Sequence, residues 1–285
     1  MARLDRLSAL LEGLAPDIIV RHAGALAACS VAEASTPDHL LLHLLLEGNQ
    51  EIRLAGQAAI ILNAPAIAVL RGDFAHQLIA SSADENHRLF CIEARFAGPA
   101  APLLLTAFTQ PLFIDLDANA VDMGLVVNLI ASELVAPRCG QPALLKRAGE
   151  ILFIGLLRYL ISHPRTPVGM LNGLAEPRIA RALVDLHGTP QAAWTLETLA
   201  ASAGMSRTAF AVRFRDLMGA TPGDYVTQLR LGIARREIAQ GNGLKRAAQA
   251  SGYASTTALS RALSRTATKD LPQRASKDSA QMVAG

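Results

Sequence analysis

Apolar positions between Leu196 and Leu263 recur at helical spacing, and a small residue followed four positions later by glycine interrupts them twice. In the first copy, AASAGMSRTAFAVRFRDL from Ala200 to Leu217, Ala200 is small where two helices must cross closely. Gly204 stands where a tight turn calls for a left-handed backbone. Ser206 is an apt N-cap, and Phe210, Phe214 and Leu217 then fall at i, i+4, i+7 on one face of a second helix. The other face carries Arg207, Thr208, Ala211 and Arg215. The second copy, AQASGYASTTALSRALSR from Ala248, repeats the pattern with Gly252. It turns Leu259 and Leu263 inward and Thr256, Thr257, Ser260, Arg261, Ser264 and Arg265 outward. Between the copies, Pro222 to Ile238 predicts one long helix opened by Thr221 and Pro222. Tyr225, Leu229 and Ile233 lie on its apolar stripe, and Arg230, Arg235 and Arg236 on its wet face. Pro177 to His187 predicts a lead helix with Ile179, Leu183 and Leu186 inward; Thr195 is expected to cap the next helix and Trp194 to be core. Two helix-turn-helices joined by a rigid helix place two recognition helices at a fixed separation, the arrangement that reads a DNA major groove.

The first half has a different rhythm. After a short helix from Asp5 to Leu14, brief apolar or alternating runs occupy His39 to Leu46, Glu51 to Leu54, Ala58 to Leu62 and Ile67 to Leu70. Clusters of Gly, Asn, Pro and Asp separate them, which predicts a small antiparallel barrel or sandwich, with His87 to Ala94 as a closing strand. From residue 97 to 163 the pattern turns helical: Pro102 opens a segment ending near Phe113. Asp122 to Val135 places Leu125, Leu129 and Ile130 on one stripe, and Leu144 to Ser162 is apolar over much of its circumference. So broadly apolar a helix needs cover on several sides, either from its own barrel or from a second copy of the chain. The boundaries expected are a sensor and helical dimerisation region over 1–162, an irregular linker over 163–176, a DNA-binding domain over 177–275 and a disordered tail over 276–285. The fold class is α+β: a small β-barrel with helices, then an all-α domain.

Charge sharpens this division. Residues 1–163 hold 11 Lys and Arg against 16 Asp and Glu, whereas residues 164–285 hold 16 against 8, a net +8 that coincides with the tandem motif. A basic half beside an acidic one implies a part that meets a polyanion and a part that senses. Cys29, Cys91 and Cys139 are odd in number and lack CxxC spacing, so neither structural disulfides nor a zinc site is expected. Asp5 and Glu12 interrupt the N-terminal apolar residues, and the run from Ile151 to Ile161 is too short for a membrane span. A soluble cytoplasmic protein is expected.

The segments WTLETLAASAGMSRTAFAVRF, GATPGDYVTQLRLGIARREI and AAQASGYAS, in that order, closely resemble the DNA-binding domain of AraC/XylS-type transcription regulators. LLLHLLLEGNQEIRL with VLRGDFAHQL resembles the cupin-like sensor domains that precede such domains. These resemblances imply double-stranded DNA, RNA polymerase and a small-molecule effector as partners, and a homodimer. The chain departs from the family where Leu259 and Leu263 replace aromatics, and where TATKDLPQRASKD replaces the family's closing stretch, so the second unit is expected to pack less firmly. Base contacts are expected from Arg207, Thr208 and Ala211, and from Thr256, Thr257 and Arg261. Arg215, Ser260 and Arg265, with Arg230, Arg235 and Arg236, are expected to meet the phosphate backbone or the surface.

One constellation points elsewhere. His39, His43, Glu47 and the later His76 have the residue types of a cupin metal centre, and with them a cupin oxygenase or isomerase is the competing reading. Such a centre needs an HxH pair, which His39 and His43 do not make, and the leucines between them offer no polar second shell. No metal, no cofactor and no enzymatic activity are expected: the chain also lacks GxSxG, P-loop and HExxH motifs. His43 and His76 are expected to line an effector pocket or to be satisfied core residues. A sensor acting through protein contacts, with weak DNA binding, is the third reading.

Overall fold

The structure, a computed structural model, describes residues 5–25, 29–80, 87–116 and 121–269. The tail expected over 276–285 lies outside the described residues. Helix α1 (Arg6–Leu14) is capped by Asp5, whose carboxylate accepts from the Ser8 amide at 3.0 Å. Among the described residues nine strands follow in two antiparallel sheets: β1 (Pro16–Gly24), β2 (Cys29–Ala32), β3 (His39–Glu47), β4 (Asn49–Leu54), β5 (Ile60–Asn63), β6 (Ala66–Arg71), β7 (His76–Ala80), β8 (Arg88–Phe96) and, after helix α2 (Ala101–Leu105), β9 (Leu112–Asp115). One sheet runs β1-β8-β3-β6-β9 and the other β2-β7-β4-β5.

Strands β3 to β6 and β8 stand where the alternating runs predicted them, although β8 is an interior strand between β1 and β3. The unbroken run of β3 is explained by its two covered faces. Leu40, Leu42, Leu44 and Leu46 pack into the core that the sheet shares with the helices, while Leu45 and His43 face the space between the sheets. Strands β1, β2, β7 and β9 were not anticipated. The segment expected to be helical to Phe113 ends its helix at Leu105, and Leu112–Asp115 pairs with β6 instead.

Two helices cover the larger sheet. On α3 (Val121–Val135) the buried stripe is Met123, Val126 and Ile130; Leu125 and Leu129, expected to share a stripe with Ile130, are exposed, Leu125 by 86%. A helix apolar on both sides does not reveal from its sequence which stripe its neighbour will cover. Helix α4 (Gln141–Ser162) has the broad apolar face expected, and its Gly149 lies so close to Ile18 and Ile92 that an added Cβ would stand 3.1 Å and 3.3 Å from their methyls.

The expected linker is more structured than its composition implied. Met170–Ala175 forms helix α5, with Met170, Leu171, Asn172 and Leu174 buried and the Asn172 amide donating to the Thr166 carbonyl at 2.9 Å. Six residues are too few to display a period, which is why the stretch read as irregular. Helices α6 (Pro177–Gly188), α7 (Leu196–Ser202), α8 (Arg207–Met218), α9 (Pro222–Ala239), α10 (Leu244–Ala250) and α11 (Thr256–Lys269) complete the described residues.

A single apolar core runs from the larger sheet through α4 and α5 into α6, α7, α8 and α9. Polar contacts reinforce the seam: Arg6 of α1 donates to the Leu174 carbonyl at 2.9 Å. At Gly232 of α9 the backbone of the sensor presses so near that an added Cβ would lie 2.3 Å from the Pro99 carbonyl oxygen. Backbone cannot yield as a side-chain tip can, so Gly232→Val should force the seam apart. The expected loss is about 1–3 kcal/mol of overpacking, read in scanning calorimetry as one cooperative transition separating into two.

Candidate nucleic-acid interface

The first helix-turn-helix is fixed by local hydrogen bonds. Thr195 and Thr198 cap α7 reciprocally: the Thr198 amide donates to Thr195 Oγ1 at 3.2 Å and the Thr195 amide to Thr198 Oγ1 at 2.8 Å. Helix α7 ends on Gly204, at φ +63°, and the Met205 amide returns to the Ala200 carbonyl at 2.9 Å. Ser206 then caps α8 through the Ala209 amide at 3.3 Å. Phe210, Phe214 and Met218 are buried, and the Phe214 ring meets that of Tyr225 edge to face at 5.6 Å. Leu217, expected inward, is only half-buried; Met218 takes the place foreseen for it. Trp194 is half-buried, with its indole N–H donating to the Thr189 carbonyl at 2.8 Å.

The second unit repeats the first atom for atom at its turn. Gly252 has φ +73°, the Tyr253 amide returns to the Ala248 carbonyl at 2.9 Å, and Ser255 caps α11 through the Ala258 amide at 3.1 Å. Its core differs in kind. Leu231, Ala234, Ala247, Ala248, Leu259 and Ala262 form its buried apolar cluster, with Leu263 only partly covered. Leu259 and Leu263, standing where the first unit has Phe210 and Phe214, bury less apolar surface than those rings.

The outward faces are open. Arg207, Thr208 and Arg215 of α8 are exposed and Ala211 is half-exposed; Thr256, Thr257, Ser260, Arg261 and Arg265 of α11 are exposed. Val212, 57% exposed, lies among them. Arg207 is not free: its Nη1 donates to Glu197 of α7 at 2.6 Å. Arg230 is a correction to the sequence reading. Its guanidinium donates to the carbonyls of Pro190 and Ala192, at 3.0 Å and 2.5 Å, and so braces the loop before α7. Spacing placed it on the polar side of α9 but could not reveal that a distant loop lies against that side.

In the sensor, His43 and His76 are buried together between the sheets. Their Nε2 atoms are 2.8 Å apart, His43 Nδ1 is 3.0 Å from Cys91 Sγ, and His76 Nδ1 is 2.9 Å from the Phe74 carbonyl. A carbonyl only accepts, so His76 carries its proton on Nδ1 and accepts at Nε2. His43 then donates from Nε2 and accepts the Cys91 thiol proton at Nδ1. Burial lowers the pKa of His43 to about 3, assisted by His76, and lowers that of His76; it raises the Cys91 thiol above its ordinary value. His39 and Glu47 do not join them. Four residues along a strand span about 13 Å, and these two pair instead with Asp38 and Arg88. Among the described residues no group of three His, Cys, Asp or Glu could hold a metal ion. The space between the sheets is filled by Leu45, Ile52, Leu70, Leu78 and Leu89, and the open space near His76 is a cleft of about 510 Å³ at the rim, lined also by Glu33, Arg53 and Gln77. Among the described residues no helix is long and apolar enough to cross a membrane.

Fold and surface together define a sensor-type β-sandwich welded to a tandem helix-turn-helix. Comparison with known proteins agrees. Residues 5–162 match the family described as Cupin, and residues 199–274 the one described as Helix-turn-helix domain. An AraC-like transcription regulator of Streptomyces lividans is 36% identical over 149 residues, 52% of this chain and 46% of its own length. The transcriptional activator RclR of Escherichia coli is 28% identical over 195 residues, 67% of this chain and 68% of its own. Among solved structures, ToxT from Vibrio cholerae aligns over 88% of this chain and 91% of its own with a TM-score of 0.38 and 11% identity. The chain spans about half the length of the first of these relatives. The chain belongs to the family described as Cupin, whose match spans more than half of it, and carries a helix-turn-helix domain over residues 199–274.

The buried imidazoles give the fold a pH signature. Both are neutral when folded and take up a proton on unfolding below the ordinary value of 6.5. The unfolded chain therefore binds more protons in that range, and stability falls as the pH drops from about 6.5 toward 3. For His43 the slope is about 1.4 kcal/mol per pH unit over most of that range, and His76 adds to it in the same direction below 6.5. His187, held near 4 by burial, adds to it. Denaturant titrations between pH 5 and 6 should show the slope of His43→Leu reduced by one imidazole's share, with no difference in slope above pH 7.5.

Proposed function

We propose that the protein is a sequence-specific DNA-binding transcription regulator, with α8 and α11 entering successive major-groove segments. What supports this reading above all is the duplicated turn: two recognition helices, aimed by the same hydrogen bond, each present an exposed polar and basic face. Arg207, Thr208, Ala211 and Val212 are the base readers of the first unit; Thr256, Thr257 and Arg261 are those of the second. Arg215, Ser260 and Arg265 meet phosphates. The DNA-binding domain is taken as 177–275 and the sensor as 1–162, with the helix-bearing stretch 163–176 as their joint. A small molecule entering the rim cleft beside His76 is the effector, RNA polymerase is the downstream partner, and the setting is the cytoplasm. No enzymatic step is assigned to it.

The homodimer belongs to the same reading. Leu125, Leu129 and Val135 on α3 and Ile151 on α4 are large apolar side chains left exposed. Two copies covering this surface would place two tandem units on one duplex. Leu125→Asp with Leu129→Asp is expected to convert a dimer to a monomer in sedimentation equilibrium, without changing the far-ultraviolet circular dichroism.

Fluorescence anisotropy against DNA from the protein's own upstream region, with scrambled competitor and a salt series, tests DNA reading directly. Competitor-resistant binding that weakens steeply with salt is expected. Arg261→Ala should cost roughly 1–3 kcal/mol, confined to one base position. Equal weakening on every sequence would reduce Arg261 to a phosphate contact.

A further inference from the structure

We propose that Glu197 is a positioning residue for Arg207, holding its guanidinium so that the Nε–Nη2 edge is presented to a guanine in the major groove. The inference rests on the DNA-reading function above and gives one of its side chains a specific task. Glu197 is the second residue of α7 and Arg207 the first of α8, so their contact crosses the turn of the first helix-turn-helix. Glu197 Oε1 accepts from Arg207 Nη1 at 2.6 Å.

Stability does not account for this pair. The two side chains are 58% and 66% exposed, and ion pairs so wet contribute little. Nor does affinity account for it, since a carboxylate beside the recognition helix repels every phosphate that approaches. Selectivity does. Guanine presents O6 and N7, two acceptors side by side, and asks for two parallel donors. With Nη1 held by Glu197, the donors remaining to Arg207 are Nε and Nη2, which form one such edge. The carboxylate is itself held in place: Arg207 chiefly, then the Glu197 backbone N–H and the Thr195 side chain, donate to it and keep its pKa below the ordinary value. A long arginine held in advance loses less freedom on binding than one that must be ordered by its ligand. Because its charge is already paired, it gains less from a phosphate, whose oxygens lie everywhere along the duplex, than from the base edge that fits its free side.

The two consequences have opposite signs, which makes them separable from a merely structural role. The experiment uses the full chain, a duplex selected from a randomised library, a scrambled duplex and single base-pair variants of the selected one, all by anisotropy. Arg207→Ala identifies the base pair that Arg207 reads, which for a bidentate arginine carries roughly 5- to 150-fold discrimination. Glu197→Gln is expected to bind the scrambled duplex more tightly than the unsubstituted protein. At the same time it loses about threefold or more of the discrimination at that base pair. In an Arg207→Ala background it should cause no further loss there. Circular dichroism should be unchanged, because the Thr195–Thr198 cap remains. A Glu197→Gln protein whose affinity shifts by one factor on all duplexes would overturn the inference, as would a selective protein in which Arg207→Ala desensitises no single base pair. A protein that prefers the selected duplex no more than the scrambled one would overturn the DNA-reading function itself, and the inference with it.

Discussion

The hydrogen bond that crosses five residues at each turn, from Met205 to Ala200 and from Tyr253 to Ala248, sets the direction of both recognition helices. It forms only if the residue before its donor adopts a left-handed backbone, and Gly204 and Gly252 do so without a Cβ to obstruct them. Everything that makes the exposed faces of α8 and α11 useful follows from that bond. It brings the small side chains of Ala200 and Ala248 to the crossing point, delivers Ser206 and Ser255 to their caps, and turns one face of each helix inward. A side chain that forced either glycine out of this conformation would misdirect the whole following helix, however well its outward residues matched a base sequence.

This dependence on local chemistry is why the helix-turn-helix half was so legible from sequence. Caps, turn glycines and i, i+4 apolar residues act within a few positions, so Ser206, Thr221, Gly204 and Phe210 carry their meaning in plain view. The sensor was legible only where strands alternate or run apolar for long enough. β3 was recognisable, whereas β9 was not, because four residues that complete the sheet beside β6 read as the end of a helix. The same limit applied to pairings over long separations. No spacing rule could bring His43 to Cys91 and His76, or Arg230 to the Pro190 carbonyl, because sheet topology and domain packing decide those contacts. Glu197 and Arg207 fall between the two cases: they are separated by one turn, yet their meeting depends on the angle that the turn imposes.

The sensor and the first recognition unit share one apolar core, whereas the second unit has a small core of its own. On the proposed reading, a change in the N-terminal domain would reach the recognition helices through this shared packing of α5, α6, α8 and α9 rather than through a flexible tether. Gly232, pressed against Pro99, lies one residue from Leu231, which belongs to the second unit's core. A shift of the α1–α2 region that moved α9 would thus be felt on both sides of it. The buried chain from Cys91 through His43 and His76 to Phe74 is stiff for a related reason: one carbonyl fixes every tautomer in the chain, so disturbing either end changes the hydrogen bonding of all three side chains.

The second unit compensates for its small core by leaning on its neighbours. An added Cβ at Gly252 would stand 2.7 Å from the Gln191 Cα, so the second turn abuts the loop that leads into the first helix-turn-helix. Arg230 braces that loop from α9 through two carbonyls. The separation of α8 from α11 is then set at three places: along α9, at the Arg230 brace and at the Gly252 contact. A small core of leucines and alanines tolerates displacements that the first unit's phenylalanines would resist, but these restraints leave little room to use that tolerance. A weakly packed recognition unit can still be accurately placed when its position is fixed from outside, and for reading two groove segments at once placement matters more than the unit's own stability.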